Sequence, residues 1–109
     1  MPKHEFGIMQ TEPKRGKRYD AYEPDRYNCI SVDDALIVPI LRELQSVKCY
    51  WHTLERLDDG LAYTGITLIP PESCSLIRER IRDNQELSQL NSLLREAEQN
   101  DKFVIHFGV

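Results

Sequence analysis

The stretch from Lys48 to Pro71, KCYWHTLERLDDGLAYTGITLIPP, constrains this chain more than any other. Two runs rich in aromatic and β-branched residues, Cys49 to Leu54 and Ala62 to Ile69, flank a charged segment, which is the sequence pattern of a β-hairpin. Asp59-Gly60 is its strongest turn signal, because a type I′ turn needs positive φ at both central positions. That turn sets Asp58 against Leu61 and Trp51 against Leu68. One face then carries Cys49, Trp51, Thr53, Ala62, Ile66 and Leu68, which suits a core. The other carries Tyr50, His52, Leu54, Tyr63, Gly65 and Thr67. A loop one residue longer would flip one strand against the other.

The flanking segments supply the partners of such a hairpin. Residues 1–28 hold a short apolar piece, Phe6 to Met9, and a polar connection in which Pro13, Gly16 and Pro24 prevent regular structure. Tyr19, Tyr22 and Tyr27 are too aromatic for a freely solvated tail. The connection therefore reads either as an arm packed on the domain or as a binding loop. The basic cluster at 13–18 suits phosphate, but Glu12, Asp20, Glu23 and Asp25 surround it, which favours a solvated loop.

From residue 29 onward, Cys29 to Val32 reads as a strand, and Asp33 or Asp34 as a helix cap. Ile37, Ile40, Leu41, Leu44 and Val47 have helical spacing, which Pro39 interrupts with a loose first turn or a kink. After Pro70-Pro71 a helix runs through Leu76, Ile77 and Ile81 with Arg78, Arg80 and Arg82 outward. Asp83-Asn84 breaks and recaps it, and Leu87, Leu90, Leu94 and Ala97 form the stripe of a second helical piece. Phe103 to Phe107 is the last strand, with Phe103, Ile105 and Phe107 expected to face the helices.

The resulting order, β-α-β-β-α-β over residues 29–109 with the second helix split, is that of an α+β two-layer sandwich of ferredoxin-like topology. It implies a four-stranded antiparallel sheet with helices on one face. The N-terminal arm, residues 1–28, would lie on the other face or leave it open, and Glu5 to Met9 would add an edge strand.

A chain of 109 residues, 40% apolar and 29% charged, is one domain with a core of its own. Its net charge of −4 argues against a general nucleic-acid binder. No apolar run approaches membrane-spanning length, and MPKHEFGIMQ lacks a signal peptide's hydrophobic stretch. Three cysteines without paired spacing fit reduced thiols. A cytoplasmic protein is the expectation.

His52 and His106 are the first residues to test for chemistry. In the expected strand order they lie three strand spacings, roughly 14 Å, apart, whereas a metal–nitrogen bond is about 2 Å long. Two separate half-exposed histidines follow, with no metal and no cofactor. Cys74 sits where a helix dipole favours a thiolate, but without a neighbouring base it reads, like Cys29 and Cys49, as structural. No nucleophile elbow, phosphate loop, dinucleotide fingerprint or metalloprotease pattern is present, and no catalytic residue is assigned.

What remains is a candidate binding surface of Tyr50, His52, Tyr63, Thr67 and His106, with Tyr22 and Tyr27 from the arm. The leading expectation is a non-enzymatic module of inhibitor or immunity type that binds another protein or a second copy of itself. The alternative is a small-molecule site, or a modest enzyme, in a pocket between the tyrosine-rich arm and the sheet, with His52 or His106 as acid–base. In a third reading the arm is simply extra core.

Overall fold

A computed structural model describes residues 2–109. The protein is a small compact α+β domain built on one antiparallel sheet. The strands are β1 (Lys3–Ile8), β2 (Ile30–Asp33), β3 (Lys48–Trp51), β4 (Leu57–Asp59), β5 (Ile66–Ile69) and β6 (Val104–Phe107). The helices are α1 (Asp34–Ile37), α2 (Pro71–Ile81) and α3 (Ser88–Gln99). The sheet has six strands rather than four, in the order β2-β1-β6-β5-β3-β4.

This order differs from the ferredoxin-like expectation, and the N-terminus is the reason. The segment expected at an edge, β1, lies inside the sheet, paired with β2 on one side and β6 on the other. β6 pairs directly with β5, in the place the expectation gave to β2, and β1 lies between β6 and β2, which leaves β2 at the sheet edge. The sequence permits this because β1 is buried over His4–Gly7 and alternates between two faces, as a strand covered on both sides must.

The hairpin also differs. β3 pairs with β5 through Tyr50↔Leu68 and Trp51↔Thr67, one residue away from the expected register. The reversal occurs at 52–56, where Trp51 N–H donates to the Arg56 carbonyl at 3.0 Å and Arg56 N–H to the Thr53 carbonyl at 3.0 Å. Leu57–Asp59 returns along the other side of β3 as β4. Asp59-Gly60 is thus a bend at the end of β4. Gly60 has φ of 72°, its N–H donates to the Val47 carbonyl at 2.8 Å, and its carbonyl accepts from Trp51 Nε1 at 3.0 Å. Because strand side chains alternate, the one-residue shift sends Ile66 and Leu68 to the face opposite Cys49.

Two cores result. On one face, Leu90, Leu94 and Ala97 of α3 and Ile77 and Ile81 of α2 pack against Phe6, Ile69 and Val104. Pro71 occupies the first turn of α2, and Asn84 recaps the helical region by accepting from Glu86 N–H at 3.0 Å. Arg78, expected outward, instead joins the helices, with Nε donating to Asn91 Oδ1 at 3.2 Å and a guanidinium nitrogen to Glu98 Oε1 at 2.5 Å. Asp33 caps α1 by accepting from Ala35 N–H at 2.9 Å, but Pro39 leaves only short 3₁₀ turns at Val38–Ile40 and Glu43–Ser46.

On the other face, Ile66, Leu68, Ile105 and Phe107 meet Met9, Tyr19 and Tyr27. Ile105 and Phe107 therefore face the arm and not the helices, while Val104 and His106 face the helices. The residue that admits the arm is Gly7. A Cβ there would stand 2.6 Å from the Tyr27 carbonyl and 2.8 Å from Cys29 Sγ. Gly7→Ala is expected to lift Tyr27 from the sheet and cost about 1–3 kcal/mol, the usual range for overpacking, read as a lower urea midpoint at unchanged slope.

Candidate functional site

Seven sequence-selected residues divide between the two faces. Thr67, His106 and Tyr63 lie on the helix side, at the end of the sheet beyond the helices. Tyr50, His52, Tyr22 and Tyr27 lie on the arm side.

The first group belongs to a chain of buried polar contacts that also includes His4 and Asp34. His4 Nε2 is 2.9 Å from Asp34 Oδ1, and His4 Nδ1 is 2.9 Å from His106 Nε2. His106 Nδ1 is 3.2 Å from Thr67 Oγ1, which accepts from Ala62 N–H at 2.8 Å. The Tyr63 hydroxyl donates to Asp34 Oδ2 at 3.0 Å. With both rings neutral, the tautomers follow from these partners. The Asp34 carboxylate accepts a hydrogen bond from His4 Nε2–H, so His4 Nδ1 accepts from His106 Nε2–H, and His106 Nδ1 accepts from the Thr67 hydroxyl. Every donor points toward Asp34.

Burial sets the chemistry of this chain. His4, His106 and Thr67 are fully buried. Desolvation, reinforced by the neighbouring His4, pushes the His106 pKa down to about 3. The bond to Asp34 raises the Tyr63 hydroxyl above its ordinary value. Thr67 already serves Ala62 and His106, so its oxygen ends the chain inside protein, where no substrate reaches it. The arrangement is suited to holding strands together.

His4 is the participant that the sequence reading missed. Its signal was the alternation of His4, Phe6 and Ile8 on one face of a strand, which has meaning only once β1 is placed inside the sheet.

On the arm side, His52 is equally committed. Its Nδ1 lies 2.8 Å from Asp20 Oδ1 and 3.2 Å from the Tyr19 carbonyl, and its Nε2 accepts from Ile66 N–H at 3.3 Å. Nδ1 therefore carries the proton and both nitrogens are occupied. His52 adopts φ of 64° in the left-handed region, and its carbonyl accepts from Tyr19 N–H at 2.7 Å. Ring and backbone together pin the arm. Arg18 first, and His52 after it, hold the Asp20 carboxyl below its ordinary value.

The tyrosines lie on the apolar face of the sheet. Tyr27 and Tyr22 approach Phe107 with ring centroids 6.1 and 5.4 Å away, Tyr22 edge-on. Tyr50 is half-buried, 6.5 Å from the Phe103 ring. The Tyr22 hydroxyl donates to the buried Glu5 carboxylate, which raises its pKa to about 12. Burial likewise raises all three thiols, Cys29 and Cys49 to about 12 and Cys74 further, so the helix start does not activate Cys74. Among the described residues no group of three or more His, Cys, Asp or Glu is placed to hold a metal.

The connection that runs from the end of β1 to β2 folds around a cleft of about 330 Å³. Ile8 and Met9 supply apolar lining, Tyr19 and Tyr27 aromatic lining, and Gln10, Thr11 and Asn28 neutral polar groups. Lys14, Lys17, Arg26 and Glu12 complete it. Comparison with protein-family models, with curated proteins and with solved structures finds no match to this chain.

The buried chain makes stability depend on pH in a defined direction. His106 titrates near 6.5 when unfolded and near 3 when folded. Between those values the unfolded state holds the extra proton, so stability is full above pH 6.5 and falls as acid is added. The slope from this one group is about 1.4 kcal/mol per pH unit. His106→Asn is expected to be less stable at pH 7.5 but to lose stability less steeply between pH 6 and pH 4, measured by urea denaturation across that range.

Proposed function

We propose that this protein is a non-enzymatic small-molecule-binding module whose site is the cleft that the arm forms at the end of β1. One observation carries the reading: a concave site joins apolar, aromatic and convergent polar lining, the composition that small-ligand pockets share. Its volume of about 330 Å³ is at the lower end of the usual ligand-site range. The histidines considered as acid–base, His52 and His106, have both ring nitrogens engaged elsewhere, which supports binding without turnover. Three unpaired thiols fit a reducing compartment, and the cytoplasm is the proposed location. Among the described residues no helix is long and apolar enough to cross a membrane.

A second reading, recognition of another protein or of a second copy, draws on exposed apolar side chains: Tyr22 is 62% and Leu57 57% exposed. Leu57 stands on the edge strand β4, but that strand is short and bears Asp58 and Asp59, features that discourage pairing at an edge. Light scattering separates the two readings. A monomer is expected, and a dimer abolished by Leu57→Ser would favour the second.

The direct test of the cleft is a fragment screen followed by amide chemical shifts of the ¹⁵N-labelled protein. Perturbations should cluster at Met9, Tyr19, Tyr27 and Asn28, and Tyr27→Ala should weaken any hit by up to about tenfold, the worth of one aromatic contact. Hits that perturb only other surfaces would overturn the assignment.

A further inference from the structure

We infer that the ligand class of this cleft is a small organic anion that joins a flat ring to a phosphate or carboxylate. The inference rests on the cleft being a binding site and extends it to the chemistry recognised.

The sign of the lining is the first support. The chain carries a net charge of −4, yet the cleft is lined by Lys14, Lys17 and Arg26 against the single carboxylate of Glu12. A concave site whose lining carries an excess of one sign draws the opposite charge. The neighbouring cations of the arm are neutralised: Arg15 pairs with Glu55 at 3.5 Å and Arg18 with Asp20 at 2.9 Å. Lys14 and Lys17 form no ion pair among the described residues. Arg26 holds Glu23 through one nitrogen at 3.1 Å, which leaves other guanidinium donors for an oxyanion.

The second support is the placement of those cations relative to aromatic faces. Lys17 Nζ lies 5.1 Å from the Tyr19 ring centroid, and Arg26 Cζ lies 5.9 Å from that of Tyr27. Each tyrosine thus pairs a π surface with a positive group. A ligand with a flat ring and an anionic substituent matches that pairing by stacking at one end and binding charge at the other. Tyr19 and Tyr27 are half-buried, and Tyr19 is positioned by the bonds that His52 makes to its backbone. The aromatic walls are therefore set before a ligand arrives, which lowers the ordering cost of binding.

Isothermal titration with defined probes tests the class. The probes are adenosine monophosphate, benzoate, adenosine and inorganic phosphate, with binding located by amide shifts. Adenosine monophosphate or benzoate should bind at the cleft more tightly than adenosine or inorganic phosphate, and the first two distinguish phosphate from carboxylate as the preferred anion. Affinity should fall with added salt. Lys14→Gln and Lys17→Gln, both on exposed arm positions, should each lower it about tenfold, the loss of one charge-assisted hydrogen bond, with the thermal midpoint of the free protein unchanged. Cleft binding by adenosine equal to that of its monophosphate would overturn the anion class and leave the pocket reading standing. Cleft binding by inorganic phosphate as tight as by the ring-bearing anions would overturn the ring requirement. No probe or fragment at the cleft would overturn both readings.

Discussion

His4, His106 and Thr67, which water does not reach, satisfy one another and the partly exposed Asp34, and the centre of the sheet depends on that arrangement. A buried imidazole without partners costs on the order of 1–3 kcal/mol per unsatisfied group. Here each ring nitrogen is matched, and among the described residues no buried side-chain nitrogen or oxygen lacks a partner. The chain crosses from α1 through β1 and β6 to β5, so it fixes three neighbouring strands at matching heights. An apolar core tolerates sliding by a residue more readily than a row of donors and acceptors that must meet in order.

The opposite face is organised by a different rule. There the connection from β1 to β2 has one short 3₁₀ turn, Pro24–Tyr27, and is held by tyrosines resting on Phe107 and Ile105, by the Tyr22 hydroxyl on Glu5, and by His52 beneath Tyr19 and Asp20. Gly7 allows backbone to approach backbone under Tyr27. A segment fixed at a few points and raised between them leaves concave space. On the helix face the space against the sheet is filled by Leu90, Leu94 and their neighbours.

Much of the fold was legible in the sequence. Proline before α2, asparagine before the α3 region and the leucine stripe of α3 act through local chemistry, and the sequence displays them directly. The hairpin register was not legible, because Asp59-Gly60 is a turn signal whether it links two paired strands or ends one of them. Only the pairing of Trp51 with Thr67 decides between these, and that pairing is a long-range fact. For the same reason His106 was noticed but not its partner: His4 lies 102 positions earlier. The tyrosines of the arm were legible as non-solvent residues, since aromatic side chains in a loop imply a surface to pack on. A pocket at the tyrosine-rich arm was foreseen, but not its cationic lining, because Lys14, Lys17 and Arg26 meet Ile8 and Met9 only once the connection folds on itself.

The pairing of β1 with β6 places the first and last strands side by side, with Glu5 opposite Phe107. During synthesis, the β1–β2 pair and the β3–β4–β5 group can form, but they stay separate until the final strand emerges to join them. Closing that loop carries the entropic cost of nearly the whole chain, so folding should be slow for a domain of this size. β6 is therefore the strand that turns two partial sheets into one, and a nascent chain arrested before it would expose the edges of β1 and β5 together.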